Sequence, residues 1–269
     1  VSEGWGPDAV SVLGYLAAAT SRVKLASAVL QMTSRAPTVA ATSALTLDSL
    51  SGGRMIMGVG LSGPQVVEGW HGVPFLKPIA RSREYVRIMR DVIAKAAPVS
   101  CDGAVYQLPY RGEDGLGVGK PLRTFIEPTR RSIPIYLGAM GEANVALAAE
   151  VADGWYPAYY SPERAHVFDE SLQRGFARVD RDPSTLDIAT VVKIAVGPDV
   201  AECRDRVRDD FALVLGGYGA VGKNFYLQLM QRYGLAEALQ PIQDLYMQGK
   251  RREAAAAVPD WFIDAFALV

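Results

Sequence analysis

The stretch RMIMGVGLSG, residues 54 to 63, decides how the chain is organised. Its three glycines have the G-x-G-x-x-G spacing of a dinucleotide-binding turn. In a Rossmann fold this fingerprint follows the first strand, and an acidic residue follows about 20 positions later at the end of the next strand. Here a strand and a helix come earlier, Pro64 follows the third glycine, and Glu84 lies in a helical pattern. The glycines therefore predict a tight strand-to-helix loop whose backbone approaches a ligand closely, or a βα turn without a ligand.

Apolar runs alternate with helical patterns around this stretch. The runs are mostly unbroken, which is typical of parallel strands buried on both faces. They cover residues 23–30, 55–61, 133–138, 155–160 and 188–197.

The helical patterns between the runs have clear boundaries or clear apolar faces. One helix is expected to begin at Pro37 and to end at the Ser-Gly-Gly stop signal of residues 51–53. Another, over residues 80–97, carries one apolar stripe formed by Tyr85, Val86, Met89, Val92 and Ile93. A third covers residues 141–154. This alternation predicts an α/β fold with a parallel sheet, either open and doubly wound or closed into a barrel.

Two segments interrupt the alternation. Residues 98–132 are rich in glycine, proline and charge, and they are too long for an ordinary connection, so they predict an active-site insertion or lid. Residues 199–257 are helical in pattern throughout and predict a helical insertion without a strand.

Composition excludes several classes of protein. The chain has 269 residues, 49% hydrophobic residues and a formal charge of −1, which is typical of a soluble globular protein and does not favour nucleic-acid binding. No apolar run is long enough to predict a membrane span. Two cysteines suggest neither a disulfide framework nor a zinc site, and no cluster has metal-ligand spacing, so no metal is expected. A cytoplasmic location fits this pattern.

A second small-residue loop follows another predicted strand. Gly138, Ala139, Met140 and Gly141 stand between an apolar run and a helix, where backbone amides are free to bind an anion. Because the carboxyl ends of parallel strands open onto one face, this loop and residues 60–63 are expected to meet there. One phosphate-bearing ligand would then contact both.

Three blocks of sequence resemble a known superfamily. They are SGGRMIMGVGLSGPQVVEGWHGVPFLKPIARSREYV (51–86), RSIPIYLGAMGEANVALAAEVADGWYP (131–157) and GKNFYLQLMQRYG (222–234). Together they resemble the luciferase-like monooxygenases, in particular the branch of oxidoreductases that use the deazaflavin coenzyme F420. The resemblance implies a (β/α)₈ TIM-type barrel with a helical insertion, a deazaflavin across its mouth, and hydride exchange with a small organic substrate. FMN is the alternative cofactor, with monooxygenase activity, and a cofactor-free or degenerate binding protein is the alternative of a different class.

The resemblance also assigns cofactor-contacting residues. It implies a non-prolyl cis peptide bond between Ala28 and Val29 behind the ring. It further implies a loop that contacts the cofactor and a loop that binds its phosphate. The first is formed by Gly60, Leu61, Ser62, Gly63 and Gln65, and the second by Gly138, Ala139, Met140 and Gly141.

Candidates for the catalytic residues are Glu3, Trp5 and His71. The segment VSEGW resembles the end of the second barrel strand, where relatives often carry an acidic residue followed by histidine, whereas this chain has Gly4. Glu3 or Trp5 would then shape the site, although Glu3 is equally consistent with a solvated carboxylate. His71 follows Trp70 near the cofactor loop and suits either proton exchange or a supporting role.

Other residues carry weaker signals. Four basic residues are candidates for the cofactor's acidic tail, namely Arg35, Arg54, Arg81 and Lys223. Tyr106 and Tyr110 are expected either to line a substrate pocket or to pack the insertion, and His166 is expected to be solvated.

By the same resemblance, the first and last strands of the barrel lie outside the given sequence. The 269 residues would then be one partial barrel domain within a longer polypeptide. Many relatives are dimers, so a homodimer is expected.

Overall fold

A computed structural model describes residues 1–4, 6–218 and 224–269. Trp5 and Lys223, which were candidates in the sequence, lie outside the described residues. The architecture is the predicted α/β fold, a parallel sheet that curls into part of a barrel with helices packed outside it. Its strands have the order β1-β3-β6-β7-β8, and β2 also pairs with β3.

The strands of this curled sheet are β1 (Leu25–Ala26), β2 (Leu30–Gln31), β3 (Met55–Gly60), β6 (Ile135–Gly138), β7 (Gly154–Tyr156) and β8 (Asp187–Ile188). A separate antiparallel hairpin consists of β4 (Cys101–Asp102) and β5 (Gln107–Leu108). A parallel pair consists of β9 (Lys193–Ile194) and β10 (Ala267–Leu268).

The α-helices are α1 (Ala9–Ala19), α2 (Pro37–Leu50), α3 (Pro64–Gly69), α4 (Pro78–Ala94), α5 (Glu142–Val151), α6 (Asp169–Ala177), α7 (Val200–Ala212), α8 (Phe225–Arg232), α9 (Ala236–Met247), α10 (Arg251–Ala256) and α11 (Asp260–Phe266). Short 3₁₀ turns cover Pro162–Phe168 and Pro183–Thr185, and a π turn covers Leu213–Gly217.

Three predicted strands differ from the observed ones. The run 23–30 contains β1 and only the first residue of β2, and residues 27–29 lie outside both strands. The run 188–197 was expected to form one strand, but it is split between β8 and β9, which belong to different sheets. Residues 155–160 form a strand only as far as Tyr156. Tyr159 has φ of 48°, and this left-handed conformation cannot continue a strand.

Both ends of the given chain pair with backbone segments elsewhere in the fold. The amine of Val1 donates to Ala26 O (2.8 Å), and Ala28 N donates to Val1 O (2.7 Å). At the other end, Ala267–Leu268 pair in parallel with Lys193–Ile194. This second pairing lies outside the curled sheet, because β9 and β10 form a two-stranded sheet of their own.

The helix boundaries follow local capping and packing. Helix α2 has Pro37 in its first turn and stops before Gly52 and Gly53, whose φ values are 65° and 81°. Helix α4 buries the predicted apolar stripe, from Tyr85 to Ile93, against the core. Helices α5 and α6 approach closely, because a Cβ at Gly175 would lie 2.1 Å from Ala146 O.

The insertion 98–132 begins with the β4–β5 hairpin. The carboxylate of Glu84 on α4 accepts hydrogen bonds from three successive amides at the hairpin turn, those of Ala104 (2.8 Å), Val105 (3.0 Å) and Tyr106 (2.8 Å). A Cβ at Gly103 would lie 2.3 Å from this carboxylate. Glu84 therefore fixes the base of the insertion to the barrel.

The segment 199–257 is helical as predicted, with no strand among its described residues. Its helices pack through an aromatic cluster in which Tyr159 lies 5.8 Å from Phe211 and 5.4 Å from Phe266, measured between ring centroids. No helix in the described part of the chain is long and apolar enough to cross a membrane.

We expect Gly58→Ala to destabilise the fold by about 3 kcal/mol, because the added methyl would overlap the backbone of the neighbouring strand. A Cβ at Gly58 would lie 1.9 Å from Ser27 O and 2.5 Å from the ring of Tyr156. Urea denaturation measures the change.

Gly14→Ala is the matched control. Gly14 lies inside α1 with nothing within 4 Å of an added Cβ, so this variant should gain up to about 1 kcal/mol. Equal stability of the two variants would contradict the close strand packing at Gly58.

Candidate active site

The carboxyl ends of the parallel strands bring both predicted glycine loops to one edge of the sheet. Gln31 at the end of β2 is in register with Gly60 at the end of β3. Further along the sheet, Val59 pairs with Leu137, and Gly138 pairs with Tyr156. Residues 60–63 and 138–141 therefore leave neighbouring strands on the same side.

Val29 sits between these strands. The non-prolyl cis peptide bond predicted between Ala28 and Val29 is present. A Cβ at Gly60 would lie 2.6 Å from Val29 Cγ2, and a Cβ at Gly138 would lie 2.9 Å from Val29 Cγ1. Both glycines are therefore required by the packing of Val29. Strand packing alone is enough to explain why Gly60, the second glycine of the G-x-G-x-x-G pattern, has no side chain.

The loop after β3 turns directly into α3. Ser62 has φ of 65°, and the amides of Val66 and Val67 donate to Gly63 O at 3.1 Å. The side chain of Gln65 folds back, since its Oε1 would lie 2.8 Å from a Cβ at Gly63. Leu61 packs against the core. The loop is thus compact and lined by small or half-buried groups.

The second loop is held from two directions. Trp155 Nε1 donates to Ala139 O (2.8 Å), and Arg232 of α8 donates to Met140 O (3.2 Å). The same guanidinium donates to Val167 O and lies 5.0 Å from the ring centroid of Phe168. Arg232 lies 92 positions from Met140 along the chain, so no local pattern indicated this contact.

Gly141 leaves the start of α5 open. It is the N-cap of this ten-residue helix, makes no capping side-chain bond, and would have nothing within 4 Å of an added Cβ. The first acidic residue, Glu142, is paired with Arg174 at 3.6 Å. The first amide groups of the helix have no hydrogen-bond partner among the described residues, and the positive end of its dipole faces open space, which suits an anion.

Glu3 is the centre of an ionic cluster. Its carboxylate accepts from Arg35 at 2.6 and 2.8 Å, from Gln31 N at 3.3 Å and from Ala9 N at 3.4 Å. Arg35 also pairs with Asp8. Burial works to lower the pKa of Arg35, but the hydrogen bond and charge of Glu3, followed by those of Asp8, outweigh it and raise the pKa. Glu3 therefore holds the start of the chain against the end of β2.

His71 lies beside this cluster. Its Nδ1 is 2.6 Å from Thr33 Oγ1, and the ring is half-buried. Burial lowers the pKa of His71 below its ordinary value, while the charge of Glu3 works in the opposite direction. Nδ1 is engaged by Thr33, which leaves Nε2 as the ring nitrogen for contact with a ligand. Thr33 carried no signal of this role in the sequence.

The remaining candidate residues either make contacts that support the fold or lie on the surface. Arg54 donates to backbone carbonyls of residues 17, 20, 23 and 51 near the start of β3, away from the strand ends, so it is not available for a cofactor tail there. Arg81 lies 5.8 Å from the ring centroid of Tyr106, which packs edge-on against Tyr85. Tyr110 and His166 are exposed.

A family model described as luciferase-like monooxygenase matches residues 1–269, the whole of the given chain. The chain belongs to the luciferase-like monooxygenase family. In the described part of the chain, no group of three or more His, Cys, Asp or Glu residues could hold a metal ion.

Several relatives within this family cover most of the chain. A Mycobacterium tuberculosis protein provisionally named as a coenzyme F420-dependent oxidoreductase is 43% identical over 270 residues, which are 100% of this chain and 78% of that protein. The 5,10-methylenetetrahydromethanopterin reductase of Archaeoglobus fulgidus is 27% identical, over 96% of this chain and 73% of the reductase.

A solved structure supports the architecture. The coenzyme F420-dependent tetrahydromethanopterin reductase of Methanopyrus kandleri superposes with a TM-score of 0.77 at 22% identity, covering 99% of this chain and 76% of that one. At this identity the likeness concerns the fold alone.

We expect His71 to titrate with a pKa below 6.5, because burial disfavours the imidazolium form. The chain has only two histidines, so NMR of the ring protons resolves them, and His71→Asn assigns the signal. The stability that the neutral ring contributes should be present above the unfolded value of about 6.5 and be lost as the pH falls through the folded pKa. A pKa of His71 above 6.5 would contradict the described surroundings.

Proposed function

We propose that the protein is an oxidoreductase that uses coenzyme F420 to exchange a hydride with a small organic substrate. The observation that carries this proposal is the 43% identity, across the whole chain, to the M. tuberculosis protein provisionally named for F420. The arrangement at the strand ends supports it, because two small-residue loops and the Val29 side chain meet there.

The residues at the strand ends suit a tricyclic ring bearing a phosphate. Val29 and the preceding peptide would support one face of the ring, next to Gly60 and Gly138, which have no side chains to obstruct it. The loop of Gly60, Leu61, Ser62, Gly63 and Gln65 would border the ring. Gly138, Ala139, Met140 and Gly141 would hold the phosphate at the open start of α5.

When bound, the deazaflavin would supply two-electron hydride chemistry. The chain's own residues would supply orientation, exclusion of water and a proton partner. His71 is half-buried, burial lowers its pKa and so favours the neutral ring, and Nδ1 is held by Thr33. We assign it the role of holding or delivering a proton at Nε2.

Glu3 acts in this proposal through its position. Its carboxylate is engaged by Arg35 and by backbone amides, so it serves as a fixed negative charge near His71 rather than as a proton donor. Trp5 remains proposed as a residue that shapes the site. The insertion 98–132, through Tyr106 beside Arg81 and Tyr85, would border the substrate space.

Reconstitution with purified F420 and, separately, with FMN tests the proposal. We expect F420 to bind at micromolar concentration, seen as a change in its absorption and fluorescence, and no oxygen consumption to be supported by FMN. Binding of FMN in preference to F420 would favour a flavin monooxygenase instead. Failure of both cofactors to bind would contradict the proposal and favour a binding protein.

We expect Gly141→Asp to weaken F420 binding by about tenfold, because it places a negative charge where the phosphate is proposed to bind. The fold should be unharmed or stabilised, since the added side chain has open space and aspartate is a favoured N-cap. Fluorescence titration measures affinity, and thermal unfolding measures stability.

Gly141→Asn is the matched control, because it has the same shape and capping ability without the charge. Its affinity should lie between those of the wild type and Gly141→Asp. Equal affinities of the two variants would place the phosphate elsewhere.

A further inference from the structure

Gln31 is a buried amide with one end unsatisfied. The residue is 4% exposed, and its Nε2 donates to the backbone oxygen of Glu3 at 3.3 Å. Because a carbonyl oxygen can only accept, the end facing Glu3 must be the NH₂ group. The opposite end is therefore Oε1, which is buried and has no hydrogen-bond partner among the described residues.

An unsatisfied buried acceptor is costly in a folded protein and calls for an explanation. A tightly packed apolar side chain would avoid the cost, and β2 contains one in Leu30. The retention of an amide in the next position points to a partner that arrives with a ligand.

The position of Gln31 places it at the proposed cofactor site. A Cβ at Gly60 would point at Val29, and residues paired in register have their side chains on the same face of a sheet, so Gln31, paired with Gly60, faces the same side as Val29. Gln31 is in register with Gly60, and Gly4 flanks it on the other side, with an added Cβ at Gly4 lying 3.7 Å from Gln31 Nε2. Neither flanking residue has a side chain that could donate to Oε1.

The hydrogen-bonding groups of the glutamine amide indicate which kind of ligand could pair with it. A glutamine side chain pairs with an edge that presents a donor next to an acceptor, as it does with the edge of adenine. Oε1 needs an N–H donor, and Nε2 has a second hydrogen besides the one given to Glu3. A pyrimidinedione ring presents an N3–H donor between two carbonyl oxygens, and it is the polar end of a deazaflavin.

We infer that Gln31 recognises the pyrimidinedione edge of the bound deazaflavin, with Oε1 accepting from N3–H and the second Nε2 hydrogen directed to a ring carbonyl. This inference rests on the proposed function. It adds a positioning role, because an edge held at Gln31 fixes the rotation of the ring in its own plane above Val29.

The experiment compares F420 with its N3-methyl derivative, each titrated by fluorescence into the wild type and into Gln31→Met. Methylation removes the N–H donor, so the wild type should bind the methylated probe about tenfold more weakly, equivalent to the loss of one buried hydrogen bond. Gln31→Met should bind both probes equally, at about the affinity of the wild type for the methylated one.

Two results would overturn the inference. One is equal binding of the two probes by the wild type, and the other is a methylation penalty that persists in Gln31→Met, which would assign the loss to a clash elsewhere. The wild-type comparison needs no variant, so it stands even if Gln31→Met unfolds. If the wild type binds neither probe, the proposed function fails, whereas binding without a methylation penalty rejects only the role of Gln31.

Discussion

The contact of Val29 with two glycines is the constraint on which the strand ends depend. Val29 Cγ2 and Cγ1 occupy the space that side chains at Gly60 and Gly138 would need. Because β3 lies between β2 and β6, this single side chain spans three strands at the level where their loops begin. Any enlargement at either glycine would push the strands apart, and both glycine loops would leave the common edge at the same time.

Polar contacts then fix the two sides of this edge. On one side, Glu3 joins the start of the chain to Arg35 after β2, and His71 is held by Thr33 in the same region. On the other side, Trp155 and Arg232 hold the carbonyls of the loop that ends at Gly141. The backbone that would receive a phosphate is thus positioned by groups that remain in place without it, which is the physical meaning of a preorganised site.

Much of the fold could be predicted because its signals are local. The signals of Pro37, of the glycines at 52 and 53 and of the apolar stripe of α4 act within a few residues, and the helices that they mark are present. The division of 188–197 into two strands could not be predicted, because it depends on which sheet each half joins. The same applies to the site: the glycine loops are visible in the sequence, whereas Arg232, Thr33 and the bonds of Glu84 depend on contacts between distant segments.

The attachment of the insertion has a mechanical consequence. Glu84 fixes the turn at residues 103–106, and the bond from Val99 N to Leu122 O (2.8 Å) fixes the far side. Between these two sets of hydrogen bonds, the side chains of Leu116 and Val118 are 92% and 80% exposed. Any movement of this segment is thus confined to the residues between the two attachments, 107–121, and would not be shared with the barrel.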